Sequence, residues 1–320
     1  MLKATILDYQ SLAPDDLDLE HLWQLMLEWH LYDHTSAEQT AERISGMDII
    51  LTNKVILDAE LLKANPQIKL IIILATGTNN VDLQAARTLG IPVCNIVAYS
   101  TESVVQQTFA CLLALQSRLR EYDDAVKRGD WCNSPFFGLL DYQIQEVAGK
   151  TLGIIGFGAI GRRVKQVAEA FGMRVLVAKS LLPEAASQPQ RVTLEQIYTQ
   201  ADVISIHCPL SDYSRDLINT DSFAQMKETV VLLNMGRGGI VNEAALAEAL
   251  KSGRIKAAAT DVLTEEPPSP DHLLLDSRIP NLIITPHTAW ASQQARQALL
   301  DQVVNILQSL DNGPLVNQVV

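Results

Sequence analysis

Between Gly153 and Ser180 the chain reads GIIGFGAIGRRVKQVAEAFGMRVLVAKS, and this stretch leaves little choice of fold. A short apolar run, Leu152 to Ile155, leads into Gly156, Gly158 and Gly161 at GxGxxG spacing; an amphipathic stretch and a second apolar run, RVLVA, follow. The first glycine permits a tight turn, the second lets the backbone approach a ligand, and the third lets helix and strand pack closely. Two strands joined through a helix are parallel strands, since parallel pairing needs such a crossover. At the helix start, Gly158, Ala159 and Ile160 offer backbone N–H groups to a diphosphate. A lone GxGxxG also reads as a structural turn, but here the flanking strands and helix supply the context that a dinucleotide site requires.

The same alternation extends along the chain. ATIL (Ala4 to Leu7), DIIL (Asp48 to Leu51), LIIIL (Leu70 to Leu74) and PVCN (Pro92 to Asn95) are short apolar runs bounded by polar turns, as expected of strands buried on both faces. From Ser103 the spacing of Val105, Phe109, Leu112, Leu113 and Leu119 predicts one long helix, with Ser100 or Thr101 as its cap. After an aromatic-rich loop, GDWCNSPFFG, six further strands are expected in TLGIIG, RVLVA, DVISIHCP, TVVLLNMG, KAAATDV and NLIITPH. The tail from Ala291 to Leu310 is again helical in pattern and is expected to pack on the first domain. The fold class read from this order is α/β, with two doubly wound parallel-sheet domains. A Rossmann cofactor domain, residues 100–289, is inserted into a smaller flavodoxin-like substrate domain, residues 1–99 and 290–320.

Composition narrows the partners. With 25 Lys+Arg against 37 Asp+Glu, the formal charge of −12 repels phosphate backbones and anionic lipid, so neither nucleic acid nor a membrane is expected. Cys94, Cys111, Cys132 and Cys208 form no CxxC pair, which points away from a disulfide framework and a zinc site; no metal is expected. MLKATILDYQ is too short in its apolar run for a signal peptide, and a cytoplasmic location is expected.

The strand after the glycine turn ends in Ala178, Lys179 and Ser180, where a dinucleotide site usually presents an acid to the ribose hydroxyls. A carboxylate repels a 2′-phosphate, whereas an ammonium and a hydroxyl can pair with it, so NADP(H) is favoured over NAD(H). The alternative leaves Lys179 as a solvated strand end.

Three later strands each end in a polar residue: LLNMGRGGIVNE carries Arg237, TDVLTEEPP carries Asp261 and Glu266, and ITPHTAW carries His287. Separately, each has a plain structural reading. Together with ATGTNNVD, GKTLGIIGFGAIG and HCPL, they make the chain resemble the NAD(P)-dependent D-isomer-specific 2-hydroxyacid dehydrogenases over essentially its whole length. The likeness is strongest to their glycerate dehydrogenase or hydroxypyruvate/glyoxylate reductase branch. The resemblance implies that His287 protonates the keto oxygen as hydride reaches the 2-carbon, and that Glu266 orients the imidazole and favours its charged form. Arg237 would hold the substrate carboxylate bidentately or polarise the keto group. The resemblance further gives Asp261 a contact with the nicotinamide amide, sets His207, Cys208 and Pro209 against the ribose and diphosphate, and implies a homodimer. Gly77 and Thr78 resemble the loop that holds the substrate carboxylate, and Trp290 is a candidate pocket wall.

The expected substrate is a small 2-keto or 2-hydroxy acid. IILATGTNN places no basic residue before Thr76 that could meet a phosphorylated substrate, so hydroxypyruvate or glyoxylate is preferred. A D-lactate-type dehydrogenase differs only in pocket residues, and an NAD(P)-sensing regulator or corepressor on the same fold remains a distinct reading.

Overall fold

The computed structural model describes residues 1–182, 190–310 and 313–320. The chain divides into two units, Met1–Ser100 with Ala291–Val320, and Thr101–Trp290. Each junction lies one residue C-terminal to the position expected from sequence.

The first unit runs β1 (Leu2–Ile6), α1 (Glu20–Trp23), β2 (Leu27–Leu31), α2 (Ala37–Ile44), β3 (Ile49–Thr52), α3 (Ala59–Ala64), β4 (Leu70–Ile73), α4 (Leu83–Leu89) and β5 (Val93–Asn95). Its five strands are parallel in the order β2-β1-β3-β4-β5, the flavodoxin-like arrangement. Strands β3 and β4 are buried at every position, which explains their unbroken apolar runs. Strand β2 was not anticipated: LEWHL lies at the sheet edge with Glu28 and His30 partly solvated, so it lacks the apolar run that marks the others.

The second unit runs α5 (Thr101–Ser117), α6 (Leu119–Arg128), β6 (Thr151–Ile155), α7 (Ala159–Ala170), β7 (Arg174–Val177), α8 (Leu194–Gln200), β8 (Val203–Ile206), α9 (Thr220–Gln225), β9 (Val231–Asn234), α10 (Glu243–Lys251), β10 (Ala257–Thr260) and β11 (Leu282–Ile284). The six strands anticipated here are all present, parallel, in the order β11-β10-β9-β8-β6-β7. A single parallel bridge, Ala178 to Val192, continues the sheet beyond β7. The expected long helix is two helices, because Arg118 is left-handed (φ 55°) and its guanidinium is drawn to Glu121 and Asn281. Leu119, expected on the buried face, therefore lies past the break and is 62% exposed.

The last helix, α11 (Gln293–Ser309), belongs to the first unit. Leu299, Leu300, Val303, Ile306 and Leu307 pack with Ile6, Leu51, Leu70 and Ile72 in one apolar cluster. Arg296 fixes its start by pairing with Asp16 at 2.6 and 2.8 Å and by donating to the carbonyls of Leu12 and Ala13.

Candidate active site

Gly156, Arg237, Asp261 and His287 each follow within three residues the C-terminal end of a strand of the second sheet. Neighbouring strands lie about 4.8 Å apart, so one edge of the sheet gathers side chains that are far apart in sequence. Open α/β sheets bind their ligands at this edge.

The glycine turn is built as its motif requires. Gly156 has φ 94°, and a Cβ there would run into the backbone of His207 and Cys208. A Cβ on Gly161 would strike the carbonyl of Gly156, while Gly158 has open space around its Cβ position. Gly158 and Ala159 are exposed at the start of a 12-residue helix that has no side-chain cap, so its first N–H groups face solvent. This turn fits a diphosphate: the crowded glycines bring the backbone close together and the open one leaves the approach clear.

His207 follows β8. Its Nε2 pairs with the hydroxyl of the buried Ser205 at 2.8 Å, and its buried Nδ1 has no partner among the described residues. Burial pushes its pKa down to about 4, so it is neutral near pH 7 and is not a proton donor there. Such an orphaned nitrogen beside the glycine turn also suits a bound dinucleotide. Cys208 is buried in the apolar cluster with its thiol pushed up to about 11, so its backbone, rather than its sulfur, faces the turn. Pro209 is exposed.

Lys179 is exposed at the end of β7, and its backbone N–H bonds to the Val192 carbonyl. Two cations that sequence reasoning missed lie close to the turn. The guanidinium carbons of Arg162 and Arg191 stand 5.8 and 5.3 Å from the ring centre of Phe157, which lies between Gly156 and Gly158. Lys179, Arg162 and Arg191 form no ion pair among the described residues. Ser180 is half-buried and its hydroxyl accepts from the Leu182 N–H.

The chemistry-bearing side chains stand on the other half of the edge. His287 Nδ1 lies 2.6 Å from Glu266 Oε2, and Glu266 Oε1 accepts from the Leu263 N–H at 2.8 Å. The imidazole thus has one nitrogen fixed and Nε2 left for a reactant. His287 itself is left-handed (φ 53°), a conformation costing about 1–2 kcal/mol for a side chain with a Cβ. Its N–H is held by the carbonyls of Asp261 (2.8 Å) and Thr285 (2.9 Å). The Asp261 carboxylate accepts from Thr285 Oγ1, Thr288 N and Ala289 N at 2.6, 3.0 and 2.9 Å. Burial pushes its pKa above the usual carboxylate range, against those three bonds. Asp261 therefore shapes the histidine loop.

Arg237 is half-buried between glycines and donates to the Gly236 carbonyl at 2.8 Å. Its turn is set by Asn234, which donates to the Arg237 carbonyl and accepts from the Gly236 N–H, both at 3.1 Å. Gly238 presses on the peptide between Leu263 and Thr264, which joins the arginine turn directly to the segment carrying Glu266. Asn234 and Ser205 also escaped the sequence reading; the available signal was a polar residue within an otherwise apolar strand.

Gly77 and Thr78 belong to the first unit, in the loop after β4, where the Thr78 carbonyl accepts from the Val81 N–H. Trp290 packs against the apolar cluster that contains Phe109 and Leu112. Among the described residues no group of three or more His, Cys, Asp or Glu could hold a metal, and no helix is long and apolar enough to cross a membrane.

Residues 109–289 match the model of the D-isomer specific 2-hydroxyacid dehydrogenase NAD binding domain. The chain belongs to the D-isomer-specific 2-hydroxyacid dehydrogenases, enzymes that use a nicotinamide cofactor. Within that family it is 43% identical to a glycerate dehydrogenase of Methylorubrum extorquens, over 91% of this chain and 92% of that one. It is 38% identical to a hydroxypyruvate reductase of Blautia hydrogenotrophica over 99% of both chains. An NADPH-dependent glyoxylate/hydroxypyruvate reductase from Sinorhizobium meliloti, solved with citrate, superposes with a TM-score of 0.81 at 25% identity, covering 100% of this chain and 98% of that one.

Proposed function

We propose that this chain reduces hydroxypyruvate or glyoxylate to D-glycerate or glycolate, with His287 as the acid, Glu266 as its orienting carboxylate and Arg237 as the substrate-holding cation. The observation that carries the reading is the 2.6 Å contact between His287 Nδ1 and Glu266 Oε2 on the strand edge that also bears Arg237. When bound, the reduced nicotinamide supplies the hydride for the 2-carbon. Negative charge then grows on the keto oxygen, and His287 Nε2 gives it a proton while Glu266 retains the Nδ1 hydrogen. Arg237 meets the substrate carboxylate with a planar pair of donors, fixing the face that reacts. Gly77 and Thr78 are assigned as backbone donors to a carboxylate, Trp290 as a pocket wall, and Asp261 as a partner of the nicotinamide amide. His207, Cys208 and Pro209 are assigned to the ribose and diphosphate side. The apolar IILA approach to Thr76 supports an unphosphorylated substrate, and the names of the two relatives matched over nine-tenths of the chain or more support turnover rather than a sensor or corepressor.

For the cofactor we favour NADP(H) over NAD(H). Arg162 and Arg191 stand beside Phe157 of the glycine turn, Lys179 closes the strand that follows it, none of the three forms an ion pair among the described residues of a chain of net charge −12, and Ser180 adds a hydroxyl. We also propose a homodimer in a cytoplasmic setting. Phe136, Phe137 and Leu140 are 77%, 98% and 89% exposed on one loop, an apolar surface that a second copy would cover.

The test is His287→Ala, followed by loss of reduced-nicotinamide absorbance with hydroxypyruvate and glyoxylate. Turnover should fall on the order of 10²–10⁴-fold with cofactor binding retained. Wild-type turnover in the variant would refute the assignment.

A further inference from the structure

We propose that Glu243 is a positioning residue for the Glu266–His287 pair, acting through the Leu263–Thr264 peptide with His272 behind it. The proposal rests on the reading of that pair as the acid–base centre. Glu266 sits on a surface loop, and an exposed glutamate has several rotamers to choose from. Its Oε1 is held by the Leu263 N–H, so the direction of that one N–H sets where Oε2 meets the imidazole. The next N–H along, that of Thr264, donates to Glu243 Oε1 at 2.7 Å. From the other side, Gly238 lies so close to the Leu263 carbonyl and Thr264 nitrogen that a methyl group would not fit. The peptide that follows the one carrying the Glu266 contact is thus gripped between a glycine and a carboxylate.

Glu243 is itself held. It opens helix α10, where the helix dipole favours a negative charge, and its Oε2 lies 3.2 Å from His272 Nε2. His272 Nδ1 accepts from the Leu274 N–H at 3.3 Å, so the ring hydrogen is on Nε2 and points at the carboxylate. Both side chains are largely buried, 15% and 10% exposed, unlike the surface pairs elsewhere in the chain. A buried, doubly engaged carboxylate one peptide away from the Glu266 contact is geometry suited to preorganisation, where displacements of about 1 Å can cost about 10²-fold in rate.

The experiment compares Glu243→Ala, Glu266→Gln, the double variant and His287→Ala in the full chain, measuring kcat, KM for hydroxypyruvate and NADPH affinity by fluorescence. Glu243→Ala should lower kcat by about 10–100-fold with KM and NADPH affinity within about 3-fold of wild type. In the Glu266→Gln background it should add almost nothing, because the group through which it acts is already gone. Unchanged kcat, or the same loss in both backgrounds, would overturn the proposal, the latter showing a general structural role. Should the alanine variant fail to fold, Glu243→Gln serves instead. It keeps the volume but can accept from Thr264 or His272, not both, and an intermediate loss confined to kcat is expected. Inactive His287→Ala beside fully active Glu243→Ala would defeat this proposal alone; fully active His287→Ala would defeat the acid–base reading and the proposal together.

Discussion

Replacing Asp261 by asparagine separates the shape of the histidine loop from its chemistry. The carboxylate accepts from Thr285 Oγ1, Thr288 N and Ala289 N. Asparagine has the same outline but only one accepting atom, so one of the two backbone N–H groups must face an NH2. A buried donor left unsatisfied costs about 1–3 kcal/mol. The variant also removes a charge whose burial outweighs its hydrogen bonds, as the raised pKa shows, and this offsets part of the loss. The expected net destabilisation is therefore in the lower half of that range, about 1–2 kcal/mol. In a unit of this size that lowers the melting temperature by roughly 2–8 °C. With the clamp loosened, His287 is freer to leave its left-handed backbone state, and kcat should fall about 10-fold or more. Calorimetric melts of the cofactor-free protein and steady-state rates check both parts. A lower melting temperature with an unchanged kcat would refute the claim that this carboxylate places His287; no change in either would refute the clamp.

Three further outcomes follow from the same contacts. His207 titrates near 4 when folded and 6.5 when free, so the unfolded chain takes up the proton first; stability is intact above about pH 6.5 and declines below it, by about 2 kcal/mol at pH 5. Urea titrations at pH 7.5 and 5 should show this decline and a shallower one in His207→Gln; equal declines would remove His207 as its source. Lys179→Asp should weaken NADPH far more than NADH, and equal effects on the two would exclude the ammonium from phosphate recognition. Phe137→Asp should convert a dimer to a monomer by light scattering, and an unchanged mass would exclude that loop as the contact.

Where burial is complete on both faces, composition alone marks the strand: Ile49 to Thr52 and Leu70 to Ile73 were legible for that reason. LEWHL at the sheet edge has no fully buried position, and Glu28 and His30 interrupt its apolar residues, which hid it. The break at Arg118 was equally hidden, because its partner Asn281 is 163 positions away and no local pattern announces it. At the site, the residues that could be named were those at motif positions; the structure sets Gly156 and Gly161 in a crowded turn and places Glu266 against His287, a pair that the family resemblance, not the spacing, had suggested. The supports could not be named. Asn234, Glu243, His272, Arg162 and Arg191 owe their places to tertiary neighbours, and all but the histidine belong to residue types that are usually solvated surface groups.

The return of α11 to the first unit has a consequence for synthesis on the ribosome. The apolar face formed by Ile6, Leu51, Leu70 and Ile72 is sealed by Leu299, Leu300 and Val303, which are translated only after all 190 residues of Thr101–Trp290. At about 5–20 residues per second the nascent first unit waits roughly 10–40 s with that face uncovered. The inserted unit, whose strands are contiguous in the message, can finish first. Chaperone engagement on the polysome is therefore expected to concentrate on the earlier-made segment, and it should end when the residues of the last helix have cleared the exit tunnel.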